Sequence, residues 1–255
     1  MEIQELRRHW DGMGKEDPLW AILTVPGKAG RRWNPEEFFA TGRQEVDAVF
    51  QWIGALGIKV NRGRALDFGC GVGRLTQALA DRFDSTHGVD IASSMIALAE
   101  QYNRFGDRCK YHLNEQDDLS LFADGSFDFV LTLICLQHME PRYARGYLAE
   151  FARILAPGGV LCFQLPATMT LVTRLRRALG AATRRLGLGL LLRPVLRILQ
   201  KQEGELSEYV MEMYARPPLE VIAYLESIGF LVKSAERDHL TGNDFVSYRY
   251  VAVRK

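Results

Sequence analysis

Three glycines at alternate positions follow an aspartate in the stretch Ala65-Leu66-Asp67-Phe68-Gly69-Cys70-Gly71-Val72-Gly73-Arg74. Without Cβ atoms at Gly69, Gly71 and Gly73, a chain turns tightly and lets a ligand approach its backbone. The residues before the loop read as a buried strand. After it, Leu75, Ala78, Leu79 and Phe83 recur at helical spacing. A strand, a glycine turn and a helix amino end together present free N–H groups to a polar or anionic ligand. A second acid, Asp90, closes the run Thr86-His87-Gly88-Val89-Asp90-Ile91. At the end of a short strand, a carboxylate can accept both hydroxyls of a ribose.

The order of glycines and acids narrows the ligand. A dinucleotide loop reads Gly-x-Gly-x-x-Gly, with an acid roughly 20 residues on. Counted from Gly71 the third glycine falls on Thr76, and counted from Gly69 it falls on Arg74, so that pattern fails. Asp67, ahead of the first glycine, suits a ligand with an ammonium group near the turn, which a dinucleotide lacks. An amino acid joined to a nucleoside satisfies both Asp67 and Asp90, and S-adenosylmethionine is such a molecule.

Four motifs in order over residues 60–165 carry a family resemblance. Leu66-Asp67-Phe68-Gly69-Cys70-Gly71-Val72-Gly73 resembles the first motif of the class I S-adenosylmethionine-dependent methyltransferases, and Gly88-Val89-Asp90-Ile91 the second. Asp124-Gly125-Ser126-Phe127-Asp128-Phe129-Val130 resembles the fourth-strand motif, with Leu136-Gln137-His138 beyond it. Glu150-Phe151-Ala152-Arg153-Ile154-Leu155-Ala156-Pro157-Gly158-Gly159 resembles the helix and turn before strand five. The likeness is to the small-molecule enzymes of the type 11 and type 12 groups. It implies a Rossmann-like, doubly wound α/β sheet of seven mostly parallel strands, with the last strand antiparallel between strands five and six. It also implies methyl transfer to an oxygen, or a nitrogen, of a small organic acceptor, with S-adenosylhomocysteine as product. Ile91 and Met95 join Asp90 in the implied cofactor set, and Leu133 and Ile134 flank the methionine portion. Relatives read adenine with Gly-Asp-Ala after strand three. Here Asn114 and Glu115 stand in that place, so the adenine contact falls within Glu115, Gln116, Asp117 and Asp118, unless that acidic run is a solvated loop. Arg43, in the helix before the first motif, is a candidate partner for the cofactor's carboxylate, or a surface ion-pair residue. The other readings are a cofactor-binding protein that transfers nothing, and a nicotinamide oxidoreductase, which the missing third glycine disfavours.

The whole chain fits this frame. Its 255 residues suit one large α/β domain better than two small ones. With 32 basic and 31 acidic residues the formal charge is +1, so nothing points to nucleic acid. Cys70, Cys109, Cys135 and Cys162 are widely spaced, with neither metal-ligand spacing nor a disulfide framework. The amino terminus is polar and no apolar run approaches the roughly 20 residues of a membrane span, so a cytoplasmic protein is expected. Residues 1–60 read as a capping segment, irregular until a helix over Pro35–Ile53. Residues 61–165 form the alternating strand and helix core, 166–215 an inserted helical lid, and 216–255 a final helix and two strands. The expected later strands are 110–114, 129–135, 160–165, 230–236 and 245–253.

Acceptor chemistry is less legible. His138 follows strand four, where ligands bind in open α/β sheets, and histidine accepts protons near neutral pH. It is a candidate base or a structural histidine. A base is optional, because positioning and desolvation accelerate displacement at a sulfonium. Tyr209 and Tyr214, beside methionines, are candidate acceptor contacts, or packing. Residues 171–201 carry arginines and no acid, with leucines on one helical stripe. This segment reads as a lid with a solvated basic rim, or as a peripheral contact with an anionic membrane or a lipid-linked acceptor. Oligomeric state is not encoded in any pattern.

Overall fold

The computed structural model describes residues 1–171, 173–174, 212–242 and 244–255. Its strands are β1 (Arg64–Phe68), β2 (Ser85–Asp90), β3 (Cys109–Leu113), β4 (Phe127–Thr132), β5 (Leu155–Met169), β6 (Phe230–Asp238) and β7 (Phe245–Arg254). They form one seven-stranded sheet in the order β3-β2-β1-β4-β5-β7-β6. The pairs among β1 to β5 are parallel, and β7 runs antiparallel between β5 and β6. The order reverses between β1 and β4, and that break opens a crevice at the carboxyl ends of the strands.

Alternation along each strand feeds two cores. Leu66, Phe68, Val130, Leu161 and Phe163 pack to one side with α6 (Pro141–Ile154) and α7 (Pro218–Ser227). Ala65, Phe129, Leu131, Val160 and Cys162 pack to the other with α3 (Pro35–Ala55) and α4 (Arg74–Ala80). Asp67 shares the side of Ala65 and therefore meets α4. Helix ends follow local chemistry. Asn34 caps α3 by accepting from the N–H groups of Glu36 and Glu37, with Pro35 at the first helical position. α5 (Ser93–Tyr102) connects β2 to β3.

Residues 3–22 correct the expectation of irregular structure. They form α1 (Ile3–Glu16) and α2 (Pro18–Ile22). Leu6 and Met13 are buried on α1, and Ile3 and Trp10 pack beside Leu6. This helical stripe is visible in the sequence once the tryptophan is counted as apolar. β5 also outruns its expected end. It passes the last β4 partner, Phe163, and stays paired with β7 as far as Met169. The basic segment over 171–201 falls almost wholly outside the described residues, as does most of the expected lid. Among the described residues, no helix is long and apolar enough to cross a membrane.

Candidate active site

A cleft of about 910 Å³ lies at the carboxyl ends of β1, β2 and β4. That size suits a cofactor-scale ligand. Asp67 forms part of its floor and is 1% exposed. The Thr76 hydroxyl donates to its Oδ2 at 2.7 Å. Burial pushes the Asp67 pKa up to about 6, against the opposing pull of Thr76 and Arg74. Asp90 stands across the loop. Its Oδ2 accepts the Gly71 N–H at 2.8 Å and its Oδ1 the Ala92 N–H at 2.9 Å. Burial raises its pKa as well, while those backbone donors oppose the shift. Each Asp90 oxygen keeps acceptor capacity beyond these bonds.

The glycine loop is held to β2 by the N–H groups of Gly69 and Cys70, which donate to the Val89 carbonyl at 2.8 and 3.0 Å. Gly69 and Gly71 have φ of 75° and 53°, a region costly for residues with side chains. A Cβ at Gly69 would collide with the Cys135 sulfur, and one at Gly71 with Ile22. Gly73 faces Tyr111 rather than the cleft. Cys70, Ile91 and Met95 line the cleft, together with Leu133, Ile134 and His138.

Among the described residues the cleft is lined by Arg74, and Arg43 is not on its wall. Arg43 is exposed on α3, whereas Arg74 is 6% exposed and lines the cavity. Its Nη1 donates to Thr41 at 3.3 Å, and its buried Nε has no hydrogen-bond partner among the described residues. Burial lowers the Arg74 pKa, and the nearby Glu45 and Asp67 charges oppose that fall. Arg74 directly follows the third glycine, and that position is the signal that sequence reasoning passed over.

The wall after β4 ends in a single 3-10 turn over Leu136–His138. His138 is buried, and its Nδ1 lies 2.9 Å from the Glu212 carbonyl oxygen. A carbonyl only accepts, so the proton resides on Nδ1. Nε2 then accepts from the Gln137 amide at 3.1 Å. Desolvation lowers the His138 pKa to about 4. The Tyr214 N–H donates to the Gln137 carbonyl at 2.8 Å, so two bonds fasten residues 212–214 to this turn. Both nitrogens of His138 therefore have a partner. Tyr214 lines a neighbouring cavity of about 560 Å³, and Tyr209 lies outside the described residues.

The acidic run after β3 is placed differently from expectation. Asn114 lines the cleft, and its side chain donates to the Asp118 carbonyl at 2.7 Å. Glu115 pairs with Arg7 at 2.5 Å. The Gln116 carbonyl accepts from Tyr147, and the Asp118 carboxylate accepts from the Ser120 N–H. Gln116 and Asp117 are exposed, and none of residues 115–118 is on the cleft wall. Polar Asn114 is instead buried at the end of β3 on the cleft wall.

Ile3, Leu6 and Trp10 of α1 close the cleft from above, with Ile22 of α2 over the glycine loop. Asp11 latches this cover. Its Oδ1 accepts from the Ser94 N–H at 2.8 Å and the Ser93 hydroxyl at 2.9 Å, at the amino end of α5.

Residues 65–159 match the family model described as a methyltransferase domain. The chain is 26% identical over 136 residues to the ubiquinone biosynthesis O-methyltransferase of Bordetella avium (strain 197N), covering 53% of this chain and 56% of that protein. It is 35% identical over 101 residues to the demethylmenaquinone methyltransferase of Tropheryma whipplei (strain Twist), covering 38% of each. The chain thus spans little more than half the length of the first relative and less of the second. The magnesium protoporphyrin IX methyltransferase of Synechocystis PCC 6803, crystallised with S-adenosylhomocysteine, superposes with a TM-score of 0.66 over 100% of both chains at 19% identity, a likeness of fold. Residues 65–159 thus resemble a methyltransferase domain, and the chain as a whole has the Rossmann-like fold of that crystallised methyltransferase.

Proposed function

We propose that the protein transfers the methyl group of S-adenosylmethionine to an oxygen, or a nitrogen, of a small organic acceptor by in-line displacement. The observation that carries this reading is the pairing of a buried carboxylate, Asp67, with a half-buried one, Asp90, around a glycine turn that a Cβ would block. The donor set fits the cofactor. Asp67 offers its charge to the ammonium group, Arg74 its unpartnered Nε–H to the carboxylate, and Asp90 its remaining lone pairs to the ribose hydroxyls. Asn114, at the end of β3, faces the adenine end. When bound, the cofactor supplies an electrophilic methyl group on a sulfonium.

The chain's own contribution is then alignment and exclusion of water. Leu133, Ile134, Cys135 and Met139 form an apolar wall beside the turn after β4, while Trp10 packs edge-on to His138 at 5.3 Å. Such a wall holds reactants in line and keeps water from the reacting centre. His138 fixes the wall through Glu212 and takes no proton. The relatives named above carry different acceptors in their names, from ubiquinone biosynthesis to protoporphyrin, and the chain covers little more than half of the first of them. The acceptor therefore enters this reading only as a small organic molecule.

Calorimetric titration with S-adenosylhomocysteine, NAD and NADP tests the reading. Binding of S-adenosylhomocysteine alone, lost in Asp90→Ala, is the expected outcome and opens a search for acceptors with methyl-labelled cofactor. Binding of a nicotinamide nucleotide instead overturns it.

A further inference from the structure

Among the described residues, only Arg31 and Ile134 are non-glycine residues with positive φ. Arg31 lies on an exposed turn, but Ile134, at φ 56°, lines the cofactor cleft. A β-branched side chain is the worst suited to this region, and such strain persists only where neighbouring structure enforces it. The enforcing contact comes from β5. Gln164 is fully buried, and its Oε1 accepts the Ile134 N–H at 3.2 Å. The opposite amide orientation would set two donors face to face, so this bond fixes which way the carboxamide points. Its Nε2 is left buried with no hydrogen-bond partner among the described residues. A buried amide with one unmade bond is costly. Its neighbours on the same side of the sheet show that an apolar residue would fit there: Cys162 precedes it on the strand at the same face, and Val160 before that.

Resting on the cofactor reading above, we propose that Gln164 is the positioning residue for the methyl-donor site: it holds Ile134 in the left-handed conformation and so sets the wall between β4 and the His138 turn. The Ile134 side chain is thereby aimed at the cleft, and Cys135 is carried against Gly69, where no Cβ could stand. Gln164 touches the cofactor site only through Ile134. Removing its acceptor oxygen releases the strained residue toward an ordinary conformation, and the wall shifts into the volume that the cofactor needs. The sequence holds no sign of this. Gln164 lies two residues before Pro166 in an apolar strand, thirty residues from its partner, and pairs across the sheet with Arg249.

The test is a double-mutant cycle on Gln164→Leu and Ile134→Gly, read by calorimetric affinity for S-adenosylhomocysteine and by amide hydrogen exchange at position 134. Glycine adopts positive φ without strain, so the Gln164 contact should no longer matter in its background. The expected result is about tenfold weaker binding in Gln164→Leu, with faster exchange at Ile134. In Ile134→Gly the same substitution should change affinity less than about twofold. Gln164→Met, which keeps length and removes the acceptor, should match Gln164→Leu and serves if leucine does not fold. Wild-type affinity in both Gln164 variants, with only a lower melting temperature, reduces Gln164 to a structural residue and overturns the inference alone. Equal losses in both backgrounds overturn it too. A wild-type protein that binds no S-adenosylhomocysteine overturns the cofactor reading and this inference with it.

Discussion

Lowering the pH should expel the cofactor, and Asp67 sets where. Its carboxyl is 1% exposed, accepts one hydroxyl hydrogen bond, and has its pKa pushed up by burial to about 6. A ligand ammonium group needs the ionised form, so binding competes with protonation of the free protein. The apparent dissociation constant then grows by the factor 1 + 10^(pKa − pH). Between pH 7.5 and pH 5 that is about tenfold for S-adenosylhomocysteine, or roughly 1.4 kcal/mol. Proton release gives a second, independent number. At pH 5.5 about three quarters of the free protein carries this proton, so binding should release about 0.75 proton per site. Titrations in two buffers of different ionisation enthalpy measure that release directly.

The same shift has a stability consequence of opposite sense. The folded-state pKa lies above the ordinary aspartate value, so the fold prefers the protonated group. That preference is fully present below pH about 4 and is lost as pH rises through about 6. At pH 7.5 the ionised carboxylate therefore costs the fold roughly 3 kcal/mol, and Asp67→Asn should raise the melting temperature while weakening cofactor binding. Asp67→Asn should also flatten the pH dependence of its residual binding. A wild-type affinity constant from pH 7.5 to 5, or an unchanged slope in the Asn variant, would refute the assignment of Asp67 to the ammonium group.

Four further outcomes follow from the site. Arg74→Met should weaken S-adenosylhomocysteine about tenfold yet leave 5′-methylthioadenosine, which lacks the amino acid carboxylate, within about twofold by calorimetry. Gly69→Ala, which places a Cβ against Cys135 at φ 75°, should abolish cofactor binding and lower stability by about 2 kcal/mol in urea unfolding. Asp11→Ala removes the acceptor at the amino end of α5 and should cost about 1 kcal/mol, with faster hydrogen exchange along α1 as the second readout. Because hydrogen bonds from Lys15 and the α5 end hold the Asp11 pKa well below the usual carboxylate range despite burial, that contribution should be present at neutral pH and fade only in strong acid.

What the sequence made legible follows contact range. The strand, glycine turn and helix around Asp67 are encoded within a dozen residues, and so is Asp90 at the end of β2. Both stand where they were expected. The apolar runs of β4 and β5 and the alternation of strand and helix likewise carried the sheet, and the family resemblance placed β7. The misplaced features depend on contacts between distant segments. α1 looks irregular because its stripe mixes Trp10 with Ile3 and Leu6 among many charges, and it gains stability by closing the cleft. Arg43 and Arg74 are both arginines near the site in sequence. Only the packing of α3 against α4 turns one to solvent and buries the other. The residues after β3 look like an adenine-reading turn because they are acidic, yet Arg7, Ser120 and Tyr147 engage that turn and leave Asn114 at the cleft.

His138 shows where such reading stops. Its type and its place after β4 were visible, and both invited the role of a base. A base must hold a free lone pair and a pKa near the working pH. Burial takes away the second condition and Gln137 the first, while the Glu212 carbonyl, 74 residues downstream, locks the tautomer. His138→Gln should keep the pH profile of methyl transfer above pH 6 and lose rate, because the 212–214 connection loosens and the wall beside the turn after β4 goes with it. Once an acceptor is in hand, the loss should be recovered at saturating acceptor by no more than about tenfold, since it is alignment that is damaged. A new ionisation near neutral pH in the variant, or the disappearance of one from the wild type, would restore His138 as the base.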